Sequence, residues 1–125
     1  MSPAVTALVV ALAGGLGAIG RYVMDSLVQR RFGRIAPLGT MSVNVSGSFL
    51  LGLLTGLVSH HGLPGRVETV LGVGFCGGLT TFSTASFETV RLWREGFQGA
   101  ALQTAVGGVL LSCVAGVVGL GVALV

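Results

Sequence analysis

The sequence predicts an all-α membrane protein: a single domain, residues 1–125, of four transmembrane helices, the third broken near its middle. Three observations carry this. First, 52% of the 125 residues are apolar and 9% are charged, with a mean hydropathy of +0.92, whereas a water-soluble domain carries roughly a quarter charged residues. Second, four apolar runs, about 4–23, 38–58, 69–91 and 100–125, each reach the ~20 helical residues that cross a bilayer core. Third, Gly supplies 22 residues, about two and a half times its usual share. These glycines lie within the apolar runs, as expected where helices pack closely in lipid.

No Lys or Arg precedes the first run and three spans follow it, so it reads as a retained helix and not a cleaved leader. Arg21, near its end, is the only basic residue close to an apolar interior. It either snorkels to the interface or stands as a fixed positive charge at the mouth of an anion path. In the second run Thr40, Asn44 and Ser48 recur every fourth residue, and Gly52 and Gly56 continue the row. These positions share one helix face, half of it hydrogen-bonding and half a seam for close packing. A carboxamide near mid-span is costly unless its hydrogen-bonding groups are used.

The third run holds Gly77, Gly78 and the hydroxyls of Thr80, Thr81, Ser83 and Thr84 about its centre. Paired glycines weaken a helix, and Ser or Thr side chains compete for its backbone groups, so a break is expected at 77–81. Carbonyls freed inside a membrane take cations, and freed N–H groups favour anions. Phe82 follows, with a ring edge that is positive. The fourth run repeats the spacing of the second with Thr104, Gly108, Ser112 and Gly116.

Net charge is +3, from seven Arg and no Lys against Asp25, Glu68, Glu88 and Glu95. Most of the arginines lie in short connections between apolar runs, which argues for membrane flanks and against a nucleic-acid surface. Arg30, Arg31, Arg34, Arg91 and Arg94 share one side and Arg66 lies on the other. That asymmetry favours the first and third loops in the cytoplasm, with both termini outside. Cys76 and Cys113 sit in apolar stretches as small hydrophobes, and His60 and His61 read as solvated turn residues. No catalytic constellation is visible, so the chain does not read as an enzyme.

The segments GFCGGLTTFST (74–84), VNVSGS (43–48) and GGLGAIGRY (14–22) resemble the Fluc (CrcB) fluoride-channel family, and with the four-span layout the similarity covers essentially the whole chain. The resemblance implies a fluoride-selective passive channel in the cell's inner (plasma) membrane, exporting fluoride and reducing its toxicity. It also implies an antiparallel, dual-topology homodimer with two fluoride pores and a structural sodium ion at its centre. The carbonyls of Gly77 and Thr80 from both subunits would hold that sodium. Asn44, Phe82, Ser83, Thr84, Thr104 and Ser112 would line the pore, and Arg21 would stand at the vestibule.

Two features depart from the family pattern: a second Phe three positions after the first is usual, and here that position is Ala85, and the fourth-span track holds Gly108 and Gly116 where hydroxyls are expected. The arginine asymmetry also opposes insertion in both orientations. Two other readings remain open on the residues alone. A small multidrug-type proton-coupled exporter needs a carboxylate embedded in the first span, where the earliest is Asp25 at its end. A non-transporting membrane assembly subunit would use the small-residue seams alone.

Overall fold

The computed structural model describes every residue except Ile35. Four helical spans follow one another: Pro3–Phe32, Leu38–His61, Gly65–Arg94 and Gln98–Ala123, each long and apolar enough to cross a membrane. Ser2 opens the first by accepting the Val5 N–H at 3.3 Å, with Pro3 at the first helical position. The first helix has 30 residues and so is about 45 Å long, well beyond the apolar run at 4–23. Residues 24–32 hold neither Gly nor Pro, so nothing stops it before Gly33, where φ is 83° and the N–H returns to Gln29 O at 2.8 Å. Gly62, in the left-handed conformation at φ 70°, closes the second helix.

The third span bends where a break was expected, but its glycines do not make the break. Gly77 keeps helical angles, φ −61° and ψ −38°, and Gly77–Leu79 is helical. The chain leaves the helix at Thr80 (φ −83°, ψ 159°) and Thr81 (φ −151°, ψ 122°), then restarts as Phe82–Arg94. The pattern gave no sign of two wider turns. Within Glu68–Cys76 and Gln103–Gly107 the hydrogen bonds reach five residues back, ending in Gly77 N–H to Gly72 O and Gly108 N–H to Gln103 O. Turns of this kind inserted in a helix often sit beside functional sites.

Two seams hold the spans together. The second and fourth pack along their whole length: a methyl on Gly52 would overlap the Gly116 carbonyl, one on Gly119 the Phe49 carbonyl, and one on Gly56 the Ala123 side chain. The first span meets the N-terminal arm of the third in the same way, with Gly78 against the Gly14 carbonyl and Gly17 against the Phe75 carbonyl. Backbone-to-backbone approach of this kind is how helices associate where lipid removes the hydrophobic drive. Large apolar side chains accordingly point outward: Leu8, Leu12, Leu16 and Ile19 are all mostly exposed, while Val43 and Leu92 are fully buried.

Candidate functional site

An uninterrupted helix would send the Thr81 N–H to Gly77 O and the Thr84 N–H to Thr80 O. Here Thr81 N–H donates instead to Asn44 Oδ1 at 2.7 Å, and Asn44 Nδ2 donates to Thr81 O at 2.9 Å. Thr84 N–H donates to Thr81 Oγ1 at 3.2 Å, so Thr81 caps the restarted helix. Upstream the helix holds to its last residue, since Thr80 N–H and its hydroxyl both donate to Cys76 O at 2.9 Å. The carbonyls of Gly77 and Thr80 are among those that lose their helical donors at the break. Thr80 O is approached by Arg21 Nη1 at 3.5 Å, the outer limit of a hydrogen bond.

Such a pair of neutral oxygens fits a hard monovalent cation such as sodium. A Cβ on Gly77 would meet nothing within 4 Å, so that side of the site is clear. Gly47 leaves room for the Thr80 methyl on the other side. Neither carboxylate nor thiolate takes part, and the Arg21 charge opposes a cation here.

Beside the break lies a groove of about 660 Å³. It gathers Asn44, Phe82, Thr104 and Ser112 together with Gly77 and Thr80. The two four-residue rows divide as their composition suggests. Thr40, Asn44 and Ser48 line the groove while Gly52 and Gly56 seat the fourth span; Thr104, Gly108 and Ser112 line it while Gly116 lies on the seam. Phe82 is 84% exposed at this face. Ala85 also lines the groove and Phe87 does not, as expected from the ~200° that two helical residues turn a side chain.

Ser83, Thr84 and Arg21 are not among the groove's lining residues. The hydroxyls of Ser83 and Thr84 gather about Thr81 Oγ1, at 3.4 and 3.0 Å. Arg21 reaches the break from the first span through Thr80 O. Sequence reasoning missed Thr81 as the hub of this network, along with Ser86 and Thr89 on the groove wall. Ser86 lies four residues after Phe82, a spacing that puts both on one face and could have found it. The Ser86, Thr89 and Thr104 hydroxyls donate to the carbonyls four residues back, Phe82, Ala85 and Ala100, at 2.8–2.9 Å.

Toward the arginine-rich end, Asp25, Gln29, Arg34, Glu88 and Arg91 line a separate polar cavity of about 190 Å³. Gln29 Nε2 donates to Asp25 Oδ2 at 2.9 Å, and Arg91 Nη2 donates to Arg34 O at 3.5 Å, tying the first loop to the end of the third span.

The chain is 51% identical over 121 residues to a protein of Leifsonia xyli subsp. xyli named "Fluoride-specific ion channel FluC 1", covering 97% of this chain and 86% of that one. It is 44% identical over 118 residues to "Fluoride-specific ion channel FluC 2" of Haloarcula marismortui, covering 94% and 90% of the two chains. A further relative, "Fluoride-specific ion channel FluC" of Magnetococcus marinus, is 42% identical over 112 residues, 89% of this chain and 91% of its own. Residues 8–120 match the family model described as "CrcB-like protein, Camphor Resistance (CrcB)". With the GGLTTFST break, the Asn44 row and the four spans in place, the chain belongs to the CrcB-like family.

Proposed function

We propose that this multi-pass membrane protein is a fluoride-selective passive ion channel, letting fluoride leave the cell down its electrochemical gradient and so reducing its toxicity. One observation carries the reading: both polar rows and the broken span converge on a single groove. Relatives of nearly full length bear the name fluoride-specific ion channel. A path for a small, strongly hydrated anion must replace its water with donors and positive dipoles. The Asn44 carboxamide has two N–H groups; one is engaged by Thr81 O, and the second serves the anion.

Phe82 offers a positive ring edge without a proton to give away. Thr104 and Ser112 continue the path along the fourth span. The Thr104 hydroxyl, now on Ala100 O, exchanges one acceptor for another when it turns to a passing anion. Ser83 and Thr84, off the groove's lining, would serve the path through Thr81, whose hydroxyl gathers theirs.

In this reading the groove's open side seats a second, antiparallel copy, so that the working unit is a homodimer with two paths. The clear face of Gly77 and the exposure of Phe82 support it. The Gly77 and Thr80 carbonyls of both copies would hold sodium, which when bound offsets their aligned dipoles at the dimer seam. Dual insertion runs against the five arginines at one end, and the reading implies that those loops do not fix orientation.

The test is reconstitution into liposomes with a fluoride-selective electrode. Fluoride release that needs no coupled ion, with chloride retained, is the expected result. Vesicles that hold their fluoride would overturn the proposal.

A further inference from the structure

We propose that Arg21 sets how tightly the helix break holds its cation; the inference rests on the sodium reading above. The Thr80–Thr81 peptide is held by side chains from two other spans. Asn44 Oδ1 accepts the N–H of that peptide at 2.7 Å while its Nδ2 donates to the carbonyl of the next, Thr81 O, at 2.9 Å, and Arg21 Nη1 faces the Thr80 carbonyl at 3.5 Å. Asn44 therefore suffices to orient the peptide. Arg21 contributes one long hydrogen bond and a full positive charge.

A carbonyl oxygen has two lone pairs, so Thr80 O can serve the guanidinium and a metal ion together. The two positive charges are then separated by one shared oxygen, in partly buried surroundings that salt screens weakly. Asp25, one turn further along the first span, turns its Oδ2 to Gln29 Nε2 at 2.9 Å and not to Arg21, so the guanidinium at Thr80 O has no carboxylate in contact with it. Repulsion outweighs the orienting bond, and Arg21 lowers the site's cation affinity through its charge. The same charge attracts anions toward the break, which gives a channel reason to keep it.

The experiment titrates the purified full chain with sodium chloride, holding ionic strength constant with N-methylglucamine chloride, and follows the thermal unfolding midpoint. Removing the charge by Arg21→Met is expected to lower the sodium concentration for half-maximal stabilisation about tenfold. Arg21→Lys, which keeps the charge, is expected to stay within about threefold of wild type. Arg21→Gln replaces the Met variant if that one does not fold, since it removes the same charge. A neutral variant that half-saturates at the wild-type sodium concentration or above overturns the inference and leaves the sodium site standing. Sodium that stabilises the wild type no better than N-methylglucamine overturns the sodium reading and this inference with it.

Discussion

Asn44 and Thr81 exchange two hydrogen bonds across the bend of the third span, the carboxamide donating to Thr81 O at 2.9 Å and accepting from Thr81 N–H at 2.7 Å. A side-chain amide has the donor and acceptor of a peptide group, so Asn44 stands in for a missing strand of backbone. This makes an extended residue tolerable at mid-bilayer, where each unsatisfied backbone group costs several kcal/mol. It also gives one residue two duties: closing the break and presenting its remaining N–H to the groove.

Replacing Asn44 should separate those duties. Asn44→Ala leaves Thr81 N–H and C=O without partners, at about 1–3 kcal/mol each, and should lower the unfolding midpoint as well as flux. Asn44→Asp keeps an acceptor for the Thr81 N–H but sets a negative oxygen against Thr81 O and on the proposed anion path. Fluoride efflux from liposomes should be suppressed in the Asp variant, and undiminished efflux would reject Asn44's place on the path.

Thr81 is buried, and its hydroxyl accepts the Thr84 N–H while donating to Thr84 Oγ1 at 3.0 Å. Thr81→Val preserves shape and removes the cap, at a cost of about 1 kcal/mol; Thr81→Ser keeps the cap. Hydrogen exchange at the Thr84 amide should accelerate in the Val variant and stay near wild type in the Ser variant. Equal protection in both would show that the cap does not hold the restart of the helix.

Much of this was legible in the residues. Four spans follow from hydropathy, and the change from Thr40, Asn44 and Ser48 to Gly52 and Gly56 marks where groove gives way to seam. The break was legible too, although for a partly mistaken reason. Gly78 is needed because the first span's backbone lies against it, whereas Thr80 and Thr81 leave the helix because Asn44 offers their peptide other partners. Spacing within one helix does not show which residue of another helix will supply a hydrogen bond. For the same reason the residues left Arg21 between the interface and an anion path and did not place it on Thr80 O. The polar end of the first helix escaped a hydropathy window, since residues 24–32 continue the helix without remaining apolar.

The glycine seams give a prediction in which two glycines of similar sequence context part ways. A methyl at Gly52 would enter the Gly116 carbonyl, while one at Gly121 would meet open space. Gly52→Ala should therefore destabilise by about 1–3 kcal/mol. Gly121→Ala should be neutral or slightly stabilising through helix propensity. Unfolding midpoints in one detergent compare them directly, and equal midpoints would dismiss the close approach of the second and fourth spans.

Substitution of Phe82 should separate conduction from folding. Phe82 is 84% exposed, so little of the chain's internal packing depends on it, yet it stands on the groove with Asn44 and Thr104. Leu fills similar apolar space and lacks the positive ring edge. Interactions of such edges are worth about 0.5–1.5 kcal/mol, which corresponds to a roughly 2- to 10-fold change in rate. Phe82→Leu should thus lower fluoride flux by about that factor while the unfolding midpoint holds. Ala85, three residues on and also lining the groove, offers no aromatic edge to compensate. Unchanged flux in Phe82→Leu would assign the anion's contacts to Asn44 and the hydroxyls alone.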